Sequence, residues 1–262
     1  MLRAFTIGLT ISVLGIATAA LGQASQDKEL MDVFKKQIYV PTIKSGDRLP
    51  ASLDVPIVQV TQKIDSLFDE LIVGYPDETK FLLRRIYYGR ELLSDQPGLV
   101  AEGSVAAARA VLDNGKMSFD VRVDPILRKV PTLFRLTLIH EVAVHIGQMH
   151  QRMSQVPFET YRGQREAFLK FSELTAALVE KRVSDLLPVD VLMDDLRRNI
   201  ADPVTRERLM EHVRFRHKSR FDQYPWLRQR LAYDKASKEP PLPEWEIRQF
   251  VNFYETREAN RR

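Results

Sequence analysis

The chain has 262 residues, 44% of them apolar and 28% charged, the balance of a folded globular protein, so wholesale disorder is excluded. Its formal charge of +4 is too small to imply a nucleic-acid partner. The absence of cysteine excludes disulfides, thiol catalysis and thiolate-ligated zinc, leaving His, Asp and Glu as the ligands for any metal.

The first 24 residues read as a signal peptide. Arg3 precedes an apolar stretch, Ala4 to Ala20, and small residues follow through Ala24; no charge appears between Arg3 and Asp27. The expectation is an exported protein, periplasmic or secreted and bacterial, with no integral span after cleavage; a retained N-terminal anchor is the rival reading. Residues 25–262 are expected to form one mainly helical domain.

In chain order, Leu30, Phe34 and Ile38 recur every four residues in a short helix that stops before Pro41. Asp54 is placed to cap a helix with Pro56 in its first turn and Ile57, Val60, Ile64, Leu67, Phe68 and Leu71 on one stripe. A further helix is expected from about Asp77 to Leu93, with Phe81, Leu82, Ile86 and Leu93 inward. Asp113-Asn114-Gly115 marks a turn. After it Met117, Phe119, Val121 and Val123 alternate with Ser118, Asp120 and Arg122, so a β-hairpin is expected, the one convincing β signal in the sequence, although the Ala-rich segment before the turn also reads as helix.

Pro131 opens a helix apolar nearly all round, which is the pattern of a buried element. Helices are then expected at about 164–187, 189–200, 203–220, 225–234 and 243–260, the last packing back on the domain.

The buried helix contains His140-Glu141-Val142-Ala143-Val144-His145. Burying unpartnered polar groups costs roughly 2–7 kcal/mol each, so this cluster needs partners, and a shared metal ion would supply them. In the zincin motif H-E-x-x-H the histidines stand four apart on one helical face. Here they stand five apart. At about 100° per residue, five steps rotate the second histidine by roughly 140°, so a regular α-helix cannot aim both at one ion. An extra residue absorbed as a π-bulge would restore convergence. Glu166, Glu173 and Glu180 fall seven apart on one face of a later helix; Glu173, beside Leu174, Ala176, Ala177 and Leu178, is the preferred third ligand, ahead of Glu180 and Glu166. His150 reads as a helix-end cap or a group outside the ligand set.

The H-E-x-x-x-H spacing is similar to that of the dipeptidyl peptidase III type of zinc peptidase, whose motif reads HExxGH and whose third ligand lies in an E-E-x-x-A-[ED] segment. Ser172-Glu173-Leu174-Thr175-Ala176-Ala177 matches the E-x-x-A core. The chain departs from the pattern at Val144, Ser172 and Ala177, and the likeness covers only about 133–180. The resemblance implies a zincin-like core within 117–187: an edge strand at Lys116–Val123, the active-site helix and the third-ligand helix, with additional helices around it. It further implies Zn2+ held by His140, His145 and Glu173, and hydrolysis of a peptide or protein substrate by a metal-bound water with Glu141 as general base. Tyr161, Tyr224, His212 and His217 are the choices for a donor to the developing oxyanion.

Basic and aromatic residues interleave over 206–230. That run reads as a solvated amphipathic helix burying Val213 and Phe221, or, in an exported protein, as a face for an anionic cell-envelope surface. The alternative to an enzyme is a non-enzymatic exported helical protein, envelope-binding or structural, in which the motif is a relic or an accident.

Overall fold

A computed structural model describes residues 29–44, 46–50, 55–101, 104–113 and 116–216. The expected signal peptide, the Asp54 cap, the Asn114-Gly115 turn and the helices expected at 225–234 and 243–260 lie outside the described residues. The chain is mostly helical with a small three-stranded mixed sheet. Among the described residues no helix is long and apolar enough to cross a membrane.

Helix α1 (29–37) buries Phe34, and the extended segment after it, Tyr39 to Ile43, is buried throughout. Helix α2 (Ile57–Ile72) buries the expected stripe from Val60 to Leu71, with Pro56 at its N-cap rather than inside the first turn. Helix α3 (Asp77–Tyr87) is shorter than its pattern suggests and buries Thr79, Leu83, Ile86 and Tyr87. Phe81, expected inside, is 65% exposed, because it falls off the stripe set by positions 79, 83, 86 and 87. Leu93 does not belong to α3. The chain turns at Gly89, passes through positive φ at Arg90 and Leu92 (59° and 60°), and enters strand β1 (Leu93–Asp95). A three-residue strand is too short to carry an alternation, and neither left-handed position is a glycine, so both signals were missing from the sequence.

The expected hairpin is present. Strand β2 (Ala106–Asp113) pairs antiparallel with β3 (Lys116–Val123), from Ala106 opposite Val123 to Asp113 opposite Lys116. Phe119, Val121 and Val123 are buried, as the alternation requires. The expected place of Lys116–Val123 in the sheet is corrected: β1 pairs parallel with β3 on its other side, so β3 is the central strand and β2 is an edge. It is β2 that lies most closely against the central helix.

That central helix is one continuous rod: α4 (Pro131–Leu138), a π-helical segment (Ile139–Ile146) and α5 (Gly147–Gln155). Every residue of the π-helical segment is buried, packed among α2, α3, β2 and the long helix α7 (Arg165–Leu186). A short helix α6 (Phe158–Gly163) joins the rod to α7, and α8 (Val189–Asn199) and α9 (Pro203–Arg216) follow.

The start of the rod is capped from a distance. Pro131 has no N–H to satisfy, and Val130 at the N-cap has no side chain able to accept from the next ones. Asp195 of α8, 1% exposed, accepts instead from the Thr132 N–H at 3.2 Å and the Thr132 hydroxyl at 2.6 Å, and Asn199 Nδ2 donates to its other oxygen at 2.8 Å. A carboxylate at a helix N-terminus also meets the positive end of the helix dipole. Asp195→Ala leaves those buried donors without their acceptor and should lower unfolding stability by about 1–3 kcal/mol, read as a shifted denaturant midpoint at unchanged slope.

Candidate metal centre

The π-helical segment provides the distortion that the five-residue spacing demands. Across it the backbone donors reach back five residues: the Gly147 N–H, just past its end, is shared by the carbonyls of Val142 and Val144. This wider turn brings residue 145 round over residue 140. The Nε2 atoms of His140 and His145 lie 3.0 Å apart, with ring planes at 74°. His140, Glu141 and His145 are all buried, and their ligand atoms fall within 4.8 Å of one another.

Helix α7 and Glu141 of the π-helical segment supply the other groups. Glu173 Oε1 lies 3.3 Å from His145 Nε2, and Glu141 Oε1 lies 3.8 Å from His140 Nε2. The far ring nitrogens are held as well. His140 Nδ1 is 2.7 Å from Glu180 Oε1, and His145 Nδ1 is 2.6 Å from Ser172 Oγ. Of the three glutamates seven apart, Glu173 and Glu180 therefore both reach the histidines, from opposite sides of the rings. Glu166 does not: it is about half exposed and pairs with Lys170 at 3.4 Å. Sequence reasoning ranked Glu180 only as a lesser ligand and counted Ser172 only as a departure from a motif. The seven-residue spacing pointed to Glu180; no local pattern pointed to Ser172.

These partners constrain the proton of one ring more than that of the other. An ionised Glu180 can only accept, so His140 donates from Nδ1 and turns the lone pair of Nε2 toward His145. Ser172 can donate or accept, so His145 is free to carry its proton on either nitrogen. With the proton on Nε2, His145 donates to His140. With it on Nδ1, Ser172 accepts, and two lone pairs face the same point, an arrangement that is repulsive unless a cation lies between them. Two imidazole nitrogens and carboxylate oxygens form a donor set that suits zinc. Tetrahedral ligands about 2.0–2.1 Å from zinc stand roughly 3.3 Å from one another. The two contacts of His145 Nε2, at 3.0 and 3.3 Å, match that edge. His140, Glu141 and His145 thus form a buried group that could hold a metal ion.

The remaining residues singled out in the sequence lie elsewhere. His150 faces α3, with Nδ1 2.8 Å from Thr79 Oγ1 and its ring against Phe119; partial burial pushes its pKa down, partly offset by Glu78. Tyr161 is buried against Phe168, and burial raises its phenol. His212 and the buried Val213 belong to α9, whose Arg214 pairs with Glu207 at 2.6 Å. His217, Phe221 and Tyr224 lie outside the described residues, as does most of the basic run.

No family model, curated protein or solved structure matches the chain.

If Glu180 orients His140 for a metal, Glu180→Gln should weaken zinc binding about 10- to 100-fold, the range found when a partner behind a metal-bound histidine is lost. Competition with a chromogenic chelator measures this; an unchanged affinity would remove Glu180 from that role.

Proposed function

We propose that the chain is an exported zinc-dependent hydrolase with a zincin-like core, acting on peptide bonds, in which His140, His145 and Glu173 hold the metal and Glu141 is the general base. The observation that carries this reading is the convergence of both imidazoles through a buried π-helical turn whose other residues, Glu141 apart, are apolar, with three carboxylates, those of Glu141, Glu173 and Glu180, within 4 Å of them. π-helical turns are rare and gather at functional sites.

Zinc, when bound, supplies Lewis acidity that polarises a carbonyl and makes water a better nucleophile near neutral pH. The chain's own residues do the rest. Glu141, beside His140 and only 7% exposed in its side chain, takes the proton of the attacking water and returns it to the leaving amine nitrogen. Glu180 and Ser172 keep the two rings aimed inward. The edge strand β2, against the π-helical segment, offers backbone groups to which an extended peptide adds as a further strand.

One observation favours a second reading, a non-enzymatic helical protein: all four imidazole nitrogens of His140 and His145 have protein partners, so the pair can be satisfied without an ion.

Elemental analysis and peptide hydrolysis by the purified protein separate the two. The enzyme reading expects one zinc per chain and activity that a chelator abolishes and zinc restores. Glu141→Gln should reduce turnover by about 10²–10⁴-fold while the zinc content stays the same. A wild type free of zinc and indifferent to chelator, or an active Glu141→Gln protein, would overturn it.

A further inference from the structure

The geometry assigns to Tyr75 the task of holding the rod in its π-helical register, and so of keeping His140 and His145 on one target. Tyr75 is thus a positioning residue, and the inference deepens the metal-site reading given above, on which it rests.

In an α-helix the carbonyl of residue 143 would accept from the N–H of residue 147. Here the Gly147 N–H bypasses Ala143 and goes to Val142 and Val144. The Ala143 carbonyl accepts instead from Tyr75 Oη at 2.9 Å, between two buried groups. Tyr75 thus occupies the place left by the displaced backbone donor. In α-helical register the Ala143 carbonyl would have the Gly147 N–H as its donor; in the π-helical register, where that N–H goes elsewhere, the Tyr75 hydroxyl supplies a donor to this buried acceptor, so the bond favours the register in which it is needed. Burial raises the Tyr75 pKa well above its ordinary value, so the hydroxyl keeps its proton.

The packing around this bond leaves little freedom. A Cβ on Gly147 would stand 2.5 Å from Tyr75 Cζ and 2.6 Å from its Oη, so only glycine lets the ring reach the carbonyl. The rings of Tyr75 and Tyr39 also pack edge to face, with centroids 4.7 Å apart. Tyr39 is in turn fixed to α5: its N–H donates to Gln151 Oε1 at 2.8 Å and its carbonyl accepts from Gln148 Nε2 at 3.3 Å. Gly74 makes room for the Tyr39 ring, which a Cβ there would strike at 2.1 Å. The hydroxyl is therefore aimed by contacts from two further segments of the chain.

The test replaces only the hydroxyl. Tyr75→Phe keeps the ring, and its crystal structure should show the rod in α-helical register with the two Nε2 atoms beyond hydrogen-bond distance. Zinc affinity, measured by chelator competition, should fall at least tenfold, and the Co2+-loaded protein should lose the absorption of a tetrahedral site. Gly147→Ala, which displaces the ring while keeping the hydroxyl, should give the same result and serves if the phenylalanine variant does not fold. A π-helical segment that persists in the variant, with the nitrogens still in contact, would overturn the inference. So would an unchanged zinc affinity in variants of a wild type that binds zinc. A wild type that binds no zinc would instead overturn the metal-site reading, and the crystal structure alone would then decide the role of Tyr75.

Discussion

The backbone hydrogen-bond register of one buried helix governs everything around it. Five residues separate His140 from His145, and with i→i−4 bonding their rings would diverge; with i→i−5 bonding they meet. A π-helical stretch of eight residues is not a state that a helix adopts on its own, so the surroundings must hold it. The rod is capped at its head by Asp195 from α8, contacted at its middle by Tyr75, and gripped beyond it by the segment around Tyr39. These contacts come from distant parts of the chain, which places the distortion in the tertiary structure rather than in the local sequence.

The same arrangement explains how so many polar groups lie buried together. Each imidazole is held at both nitrogens, and the two rings differ in how firmly their protons are placed. A carboxylate behind His140 fixes one tautomer, whereas a hydroxyl behind His145 admits two. The first ring acts as a rigid lone-pair donor and the second adapts to what stands before it. A carboxylate behind both would place one more acidic group in the core beside Glu141 and Glu180, at a desolvation cost that Ser172 avoids.

Much of this was legible in the sequence where periodicity is long or geometry is stiff. The apolar rod, the α2 stripe and the β3 alternation follow from the spacing of apolar residues, and the need for a π-bulge follows from the mismatch between five residues and 3.6 per turn. Legibility failed where the deciding contact is non-local. Phe81 looked buried because its neighbours are apolar, yet the phase of α3 is set by what Leu83 and Ile86 pack against. β3 looked like an edge because β1 is too short to register as a strand. Glu180 and Ser172 became partners of the histidines only when α7 docked on the rod, and nothing around Tyr75 in the sequence connects it with Ala143, 68 residues away.

Exposure across the cluster is uneven. The side chains of His140, Glu141 and His145 are 4%, 7% and 9% exposed, while that of Glu173 is 40% exposed. Solvent thus meets the cluster on the α7 side, at a carboxylate, with the imidazoles recessed behind it. A carboxylate at the solvent-facing side of the cluster favours the approach of a cation over that of an anion.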